Sequence, residues 1–297
     1  MKQYFILAAA ALTLAACSND ENNTIMENGD MSQTIRFETG MAAATRAASN
    51  IQATTFDASE DINIEVTPSA TSTMTSATYT TAAASEGKNA LSLKTGTAFT
   101  WPASGTLAIK AFYPSTVTSA ATEFSVQTDQ TSDANYKSSD LMYATPIAAQ
   151  SKTSDPVGLT FNHALTKIIV NLTAGTGMID SDIAACTVTL SAKKTATISS
   201  GACSAASGDA ATITMGQGSG QAAIIVPQSY DANANFITVT TAGSHAVTFK
   251  LAAAKTFTAG RVYTYNLTLS MAALTLQSTT ISNWTSEDAI DGGTLTL

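Results

Sequence analysis

Two histidines, His163 and His245, and three cysteines, Cys17, Cys186 and Cys203, are the scarcest reactive side chains in this 297-residue chain. Acid–base chemistry near neutral pH runs most often through a histidine, or through carboxylates whose surroundings drive their pKa values apart. His163 shares an alternating face with Val157, Leu159 and Phe161, where a hydrogen-bonded core or edge histidine is the expected role. His245 follows the turn Ala242-Gly243-Ser244 between two strand-like runs and reads as a solvated hairpin residue. The two histidines and the two later cysteines show no metal-ligand spacing. The acidic residues are scattered, and SEDAID (286–291) reads as a solvated loop rather than a calcium site. MGQGSG (215–220) lacks the lysine and helix context of a phosphate loop and reads as a flexible connection. The expectation is a chain that is not an enzyme and carries no metal or cofactor.

The elements that hold these residues belong to an exported protein. Charged residues make up 12% of the chain, about half of the usual ~25%. The net charge of -8 argues against nucleic acid as a partner, because no basic stripe is present to displace counterions from a phosphate backbone. MKQYFILAAAALTLAAC has a positive start at Lys2, an apolar run from Phe5 to Ala16, and then Cys17. That run is shorter than the roughly 20 residues of a transmembrane helix and suits the core of a signal peptide over residues 1–16. Leu14-Ala15-Ala16-Cys17 resembles the lipobox of bacterial lipoproteins, which implies a lipidated Cys17 anchored in the outer membrane. Residues 17–33, polar and acidic, have too little apolar surface to fold and read as a flexible tether.

Beyond the tether nearly every apolar run alternates with period two, the signature of half-buried strands. Ile35, Phe37 and Met41 share one parity, with Arg36 and Glu38 on the other. INIEV (62–66), TLAIKAFYP (106–114), DLMYA (140–144), VGLTF (157–161), KIIVNLT (167–173), QAAIIVP (221–227), NFITVTT (235–241) and RVYTYNLTLS (261–270) continue the pattern. The class is all-β, and so many short strands suit two sandwiches in tandem. Val157, Leu159 and Phe161 lie on one parity and Ile168, Val170 and Leu172 on the other, so a bulge or crossing must fall near residues 164–167. The strand before it could close the first sandwich or open the second. The nearest turn signal, Asp155-Pro156, sets the expected domains at 34–156 and 157–297.

Cys186 and Cys203 form the best-placed pair of reactive groups. A hairpin in CTVTLSAKKTATISSGAC turning around Lys194-Thr195 would set the two sulfurs opposite each other, in a compartment that permits disulfides. Closing that loop would add on the order of 3 kcal/mol. A disulfide and two buried free thiols both remain open. Arg46, a lone arginine in Ala, Thr and Ser just after the first strand, reads by itself as a solvated loop residue, with a cutting point as the other reading.

Several segments together resemble the fimbrillin-like lipoproteins, subunits of the type V pili of Gram-negative bacteria. They are Ile35-Arg36-Phe37 followed by Thr45-Arg46-Ala47, WP (101–102) leading into LAIKAFYP (107–114), DLMYA (140–144), LTFNHALTKIIVNL (159–172), AGRVYTYNLTL (259–269) and ISNW (281–284). The resemblance implies two transthyretin-like β-sandwich domains and a pilus subunit, shaft or tip, that supports cell adhesion. It also implies that an arginine-specific protease cuts after Arg46, leaving Ala47 as the new terminus. Removal of the N-terminal strand would then empty a groove that accepts an extended strand from the next subunit. Two C-terminal pieces alternate, Leu274 with Leu276 and Leu295 with Leu297; either could serve as the donor, or both could be native edge strands. The alternative function is a surface glycan-binding lipoprotein. Such sites present aromatic platforms, and the two tryptophans, Trp101 and Trp284, read as packing residues.

Overall fold

The computed structural model describes residues 33–41, 55–218, 220–271, 273–283 and 286–291. Within them the chain is all-β, as the period-two alternation requires. The first run comprises β1 (Phe37–Met41), β2 (Asp61–Pro68), β3 (Thr75–Thr81), β4 (Asn89–Thr95), β5 (Leu107–Tyr113) and β6 (Glu123–Ser125). The short helix α1 (Asp133–Ser138) follows, then β7 (Met142–Ala144), β8 (Ile147–Gln150), β9 (Val157–His163) and β10 (Thr166–Ala174). After α2 (Asp180–Ala184) come β11 (Thr187–Ser199), β12 (Ala202–Gln217), β13 (Gln221–Ile225), β14 (Gln228–Tyr230) and β15 (Asn235–Thr240). The last are β16 (Ala246–Lys250), β17 (Lys255–Phe257), β18 (Arg261–Ser270), β19 (Ala273–Asn283) and β20 (Ser286–Asp291).

One sheet runs β2-β3-β4-β1-β9-β7-β5-β8, and a further pairing of β2 with β5 closes its first seven strands into a ring. A closed ring has no free edge. β9 shows the clean alternation of such a wall, with Val157, Leu159 and Phe161 buried and Gly158 and Thr160 exposed. β2 is buried from Ile62 to Val66, where Asn63 donates to the Val117 carbonyl and Glu65 Oε1 accepts from Ser119 N–H, while Glu65 Oε2 has no hydrogen-bond partner among the described residues. Trp101, 4% exposed, packs in this first core with Phe56, Tyr79 and Phe99.

The second core lies among the sheets β13-β10-β18-β19-β20 and β12-β11-β15-β16. The parity change read at 164–167 is a crossing: β9 pairs with β1 and β7, whereas β10 pairs with β13 and β18. The strand that follows Asp155-Pro156 therefore lies in the first sheet, and at Ala164 and Leu165 the chain passes into the second core, to which Phe112, Val117, Val126 and Leu141 also contribute. Pro156 opens the last strand of one core instead of the first strand of the next.

The hairpin β11–β12 differs from the expected one. CTVTL and TATIS are not two strands but parts of one, and the chain turns at Ser200-Gly201, both with positive φ (49° and 85°). That is the backbone a two-residue hairpin loop of the twist-matched kind requires. Its tip rests on the first sheet, where a β-carbon at Gly201 would stand 2.6 Å from Tyr143 Cβ and 3.1 Å from the Phe112 ring. β6 also pairs with β11, which brings a strand from the first half of the sequence into the second core's sheet. Gly201→Val is expected to cost about 2–4 kcal/mol through left-handed strain and overpacking, measured by urea unfolding.

Candidate functional site: the slot of the first strand

Ile35, Phe37 and Met41 were expected to present one apolar face, and they do. Ile35 and Phe37 are 3% and 2% exposed, and Met41 packs partly buried against the same core. β1 lies between two partners, antiparallel to β4 (Phe37 opposite Leu91, Thr39 opposite Asn89) and parallel to β9 (Phe37 beside Val157, Met41 beside Phe161). The chain ahead of it is laddered too: Ile35 N–H donates to Phe99 O at 2.9 Å, Trp101 N–H to Gln33 O at 2.7 Å and Val157 N–H to Arg36 O at 2.8 Å. The Phe37 ring meets Tyr79 and Phe99 edge-on, with centroids 5.4 and 6.1 Å away. On the outer face Glu38 pairs with Lys88, and the Arg36 guanidinium donates to the Ser154 carbonyl.

The polar contact that sequence reading missed lies on the inner face. Thr39, 1% exposed, donates its hydroxyl to Asn89 Oδ1 at 3.2 Å. A signal was present: Asn89 shares the parity of Leu91 and Leu93, so it is a polar residue on an otherwise apolar face. The arrangement can hold one extended strand by main-chain pairing on both edges and by side-chain pockets beneath, the geometry of strand addition.

The other candidate residues are dispersed. His163 Nδ1 lies 2.9 Å from Asp140 Oδ1, the satisfied role expected of it, and His245 is exposed in the β15–β16 turn. Lys137 joins Asp57, Glu60 and Asp133 at 2.7, 2.9 and 3.0 Å beside an open hollow of about 390 Å³. Its ammonium is held above the usual lysine range by those hydrogen bonds, Asp57 foremost. Lys167 is fully buried in β10, and desolvation pulls its pKa down to about 7 against the opposing pull of Asp140. SEDAID is no loop: it forms β20, paired with β19.

Cys186 and Cys203 are not opposite each other, because the turn falls later than expected. Cys203 pairs with Ile198 near the hairpin tip, while Cys186 precedes Thr187, whose partner is Gln217 at the far end. About a dozen residues at ~3.3 Å each separate them along the ladder, far beyond the reach of a disulfide, and both thiols are free. Burial raises both, Cys203 to about 12. Alkylation in urea without reductant is expected to modify both Cys186 and Cys203, read by peptide mass. Cys17, Arg46, Ala47, Trp284, Leu295 and Leu297 lie outside the described residues.

Comparison with known proteins agrees with this architecture. A model of the fimbrillin-like family matches residues 45–284. A Bacteroides uniformis protein named "Putative fimbrium subunit Fim1C" is 28% identical, with 96% of each chain covered. The fold is similar to that of a "putative cell adhesion protein" from Bacteroides uniformis, with TM-score 0.68 and 24% identity over 86% of this chain and all of that one. A second such protein, from Bacteroides ovatus, gives TM-score 0.63 and 18% identity, covering 86% of this chain and 99% of that one. The family model spans most of the sequence and both cores, and the chain belongs to the fimbrillin-like family.

Proposed function

We propose that this chain is a structural subunit, shaft or tip, of a type V surface pilus, assembled by exchange of β1 for a strand of a neighbouring subunit and supporting cell adhesion. The observation that carries the reading is the position of β1: a short strand close to the N-terminus that completes a closed ring. Its loss would leave β4 and β9 as facing edges over an apolar floor. At about 1.5–3 kcal/mol for each large side chain returned from water, refilling the slot would be strongly driven. The name of the Bacteroides uniformis relative points the same way.

The two cores correspond to two transthyretin-like sandwiches in tandem. Residues 1–16 act as a lipoprotein signal peptide, Cys17 as the lipid anchor in the outer membrane, and residues 17–33 as the tether. An arginine-specific protease cuts after Arg46. Of the two arginines near β1, Arg36 is committed to the ladder through its carbonyl, so a cut after Arg46 is the one that frees the strand whole. The donor is a C-terminal strand carrying Leu274 and Leu276 or Leu295 and Leu297. The role is structural and not enzymatic. Trp101 is buried and offers no platform for the glycan-binding alternative. N-terminal sequencing of chains recovered from surface pili is expected to begin at Ala47; assembled chains that begin at a lipid-blocked Cys17 would overturn the reading.

A further inference from the structure

What the slot demands of its occupant is set by one side chain. Ile35 and Phe37 ask only for apolar groups, but at the Thr39 position the floor is polar and dry. Asn89, fully buried, uses its whole carboxamide there. Nδ2 donates to Phe56 O and Ala82 O, both at 2.9 Å. Oδ1 accepts from Phe56 N–H at 3.0 Å and from the Thr39 hydroxyl at 3.2 Å. A carboxamide has two donor hydrogens and one acceptor oxygen with two lone pairs, so all four capacities are filled. Two main-chain carbonyls hold the amino side and fix the orientation, leaving Oδ1 aimed at position 39. An aliphatic residue there would strand one lone pair in a dry site, and a carboxylate would set two acceptors face to face. Sites built around a buried polar group reject analogues that lack the matching group.

We infer that Asn89 is the residue by which the slot selects its strand, and that the strand it fits reads apolar-x-apolar-x-hydroxyl in register with Ile35, Phe37 and Thr39. This inference rests on the strand-exchange reading above. The chain carries this pattern in several strands, and Leu274-x-Leu276-x-Ser278 in β19 is the one that falls in a C-terminal piece read above as a donor. In its own sheet Leu276 packs against the second core, and the Ser278 hydroxyl accepts from Asn266 Nδ2 at 2.7 Å. The stretch is thus held through a hydroxyl–asparagine contact at home and would find another at Asn89 of a second copy. An aliphatic-only strand would fill the pockets without that contact, and the difference sets register as well as affinity.

The test uses the full chain nicked after Arg46 by an arginine-specific endopeptidase, with peptides of residues 274–280 in native form, with Ser278→Thr and with Ser278→Val. Displacement of the β1 fragment is read by mass spectrometry. The native and threonine peptides are expected to displace it at concentrations about five- to tenfold lower than the valine peptide. Equal potency of all three would overturn the selection by Asn89 while leaving strand exchange intact, and failure of every peptide would overturn strand exchange and this inference with it. In the intact chain, Thr39→Val is expected to speed hydrogen exchange of the β1 amides about five- to tenfold, while Thr39→Ser leaves it unchanged. Equal protection in the two variants would also overturn the inference.

Discussion

Phe37→Ala is expected to cost about 3–5 kcal/mol of stability and to loosen β1 before any other strand of the ring. Phe37 is 2% exposed and meets Tyr79 and Phe99 edge-on. Its removal loses the transfer free energy of a benzyl group and two ring contacts worth roughly 0.5–1.5 kcal/mol each. It also leaves a cavity between β4 and β9 that cannot collapse, since both strands are fixed by their other neighbours, β3 and β7. Guanidinium unfolding measures the global loss. Hydrogen exchange separates it from the local one, with the β1 amides losing more protection than those of β2 or β18. A uniform loss would mean that β1 is no weaker than the rest of the wall.

The second large effect is a dependence of stability on pH centred on Lys167. Burial lowers its pKa from 10.5 to about 7 in the folded chain. Below pH 7 the side chain is charged in both states and the desolvation cost is fully felt. Between about 7 and 10.5 the unfolded state binds the extra proton, so stability rises with pH, by an amount on the order of a few kcal/mol. Other groups oppose this at the alkaline end. Burial raises Cys186 and Cys203, and it raises Tyr113, Tyr136, Tyr230 and Tyr265 as well. All of these hold their protons in the fold after the unfolded chain has released them, so stability falls from about pH 9 upward. Urea midpoints of the native chain and of Lys167→Met, compared from pH 6 to 9, isolate the lysine: the rise belongs to the native chain and is absent from the variant. A rise of equal slope in both would assign it elsewhere.

Much of this architecture was legible because alternation is a local property. Val157, Leu159 and Phe161 against Ile168, Val170 and Leu172 gave both the strands and the crossing between them, which the structure places at residues 164 and 165. What was not legible depends on distant partners. Nothing in FETGM says that it lies parallel to β9 or that β2 meets β5 to close a ring, because such pairings are set by tertiary packing rather than by composition. The β11–β12 hairpin was misread because the turn was placed at Lys194-Thr195, whereas Ser200-Gly201 carries the positive φ angles. That shift of the turn is the whole reason the two cysteines part company. SEDAID was misread for a related reason: an edge strand rich in acidic residues has the composition of a solvated loop. Asn89 was overlooked because a single asparagine in a strand says nothing until its four hydrogen-bond partners are known.

The central claim is that β1 is a replaceable member of a ring that a neighbour can complete. Light scattering with mass analysis of the full chain, before and after treatment with an arginine-specific protease at high concentration, tests it most directly. The expected result is conversion from monomer to a ladder of multimers whose chains begin at Ala47 and have lost Ile35 and Phe37. Cleaved protein that remains monomeric while keeping its β1 fragment bound would contradict it.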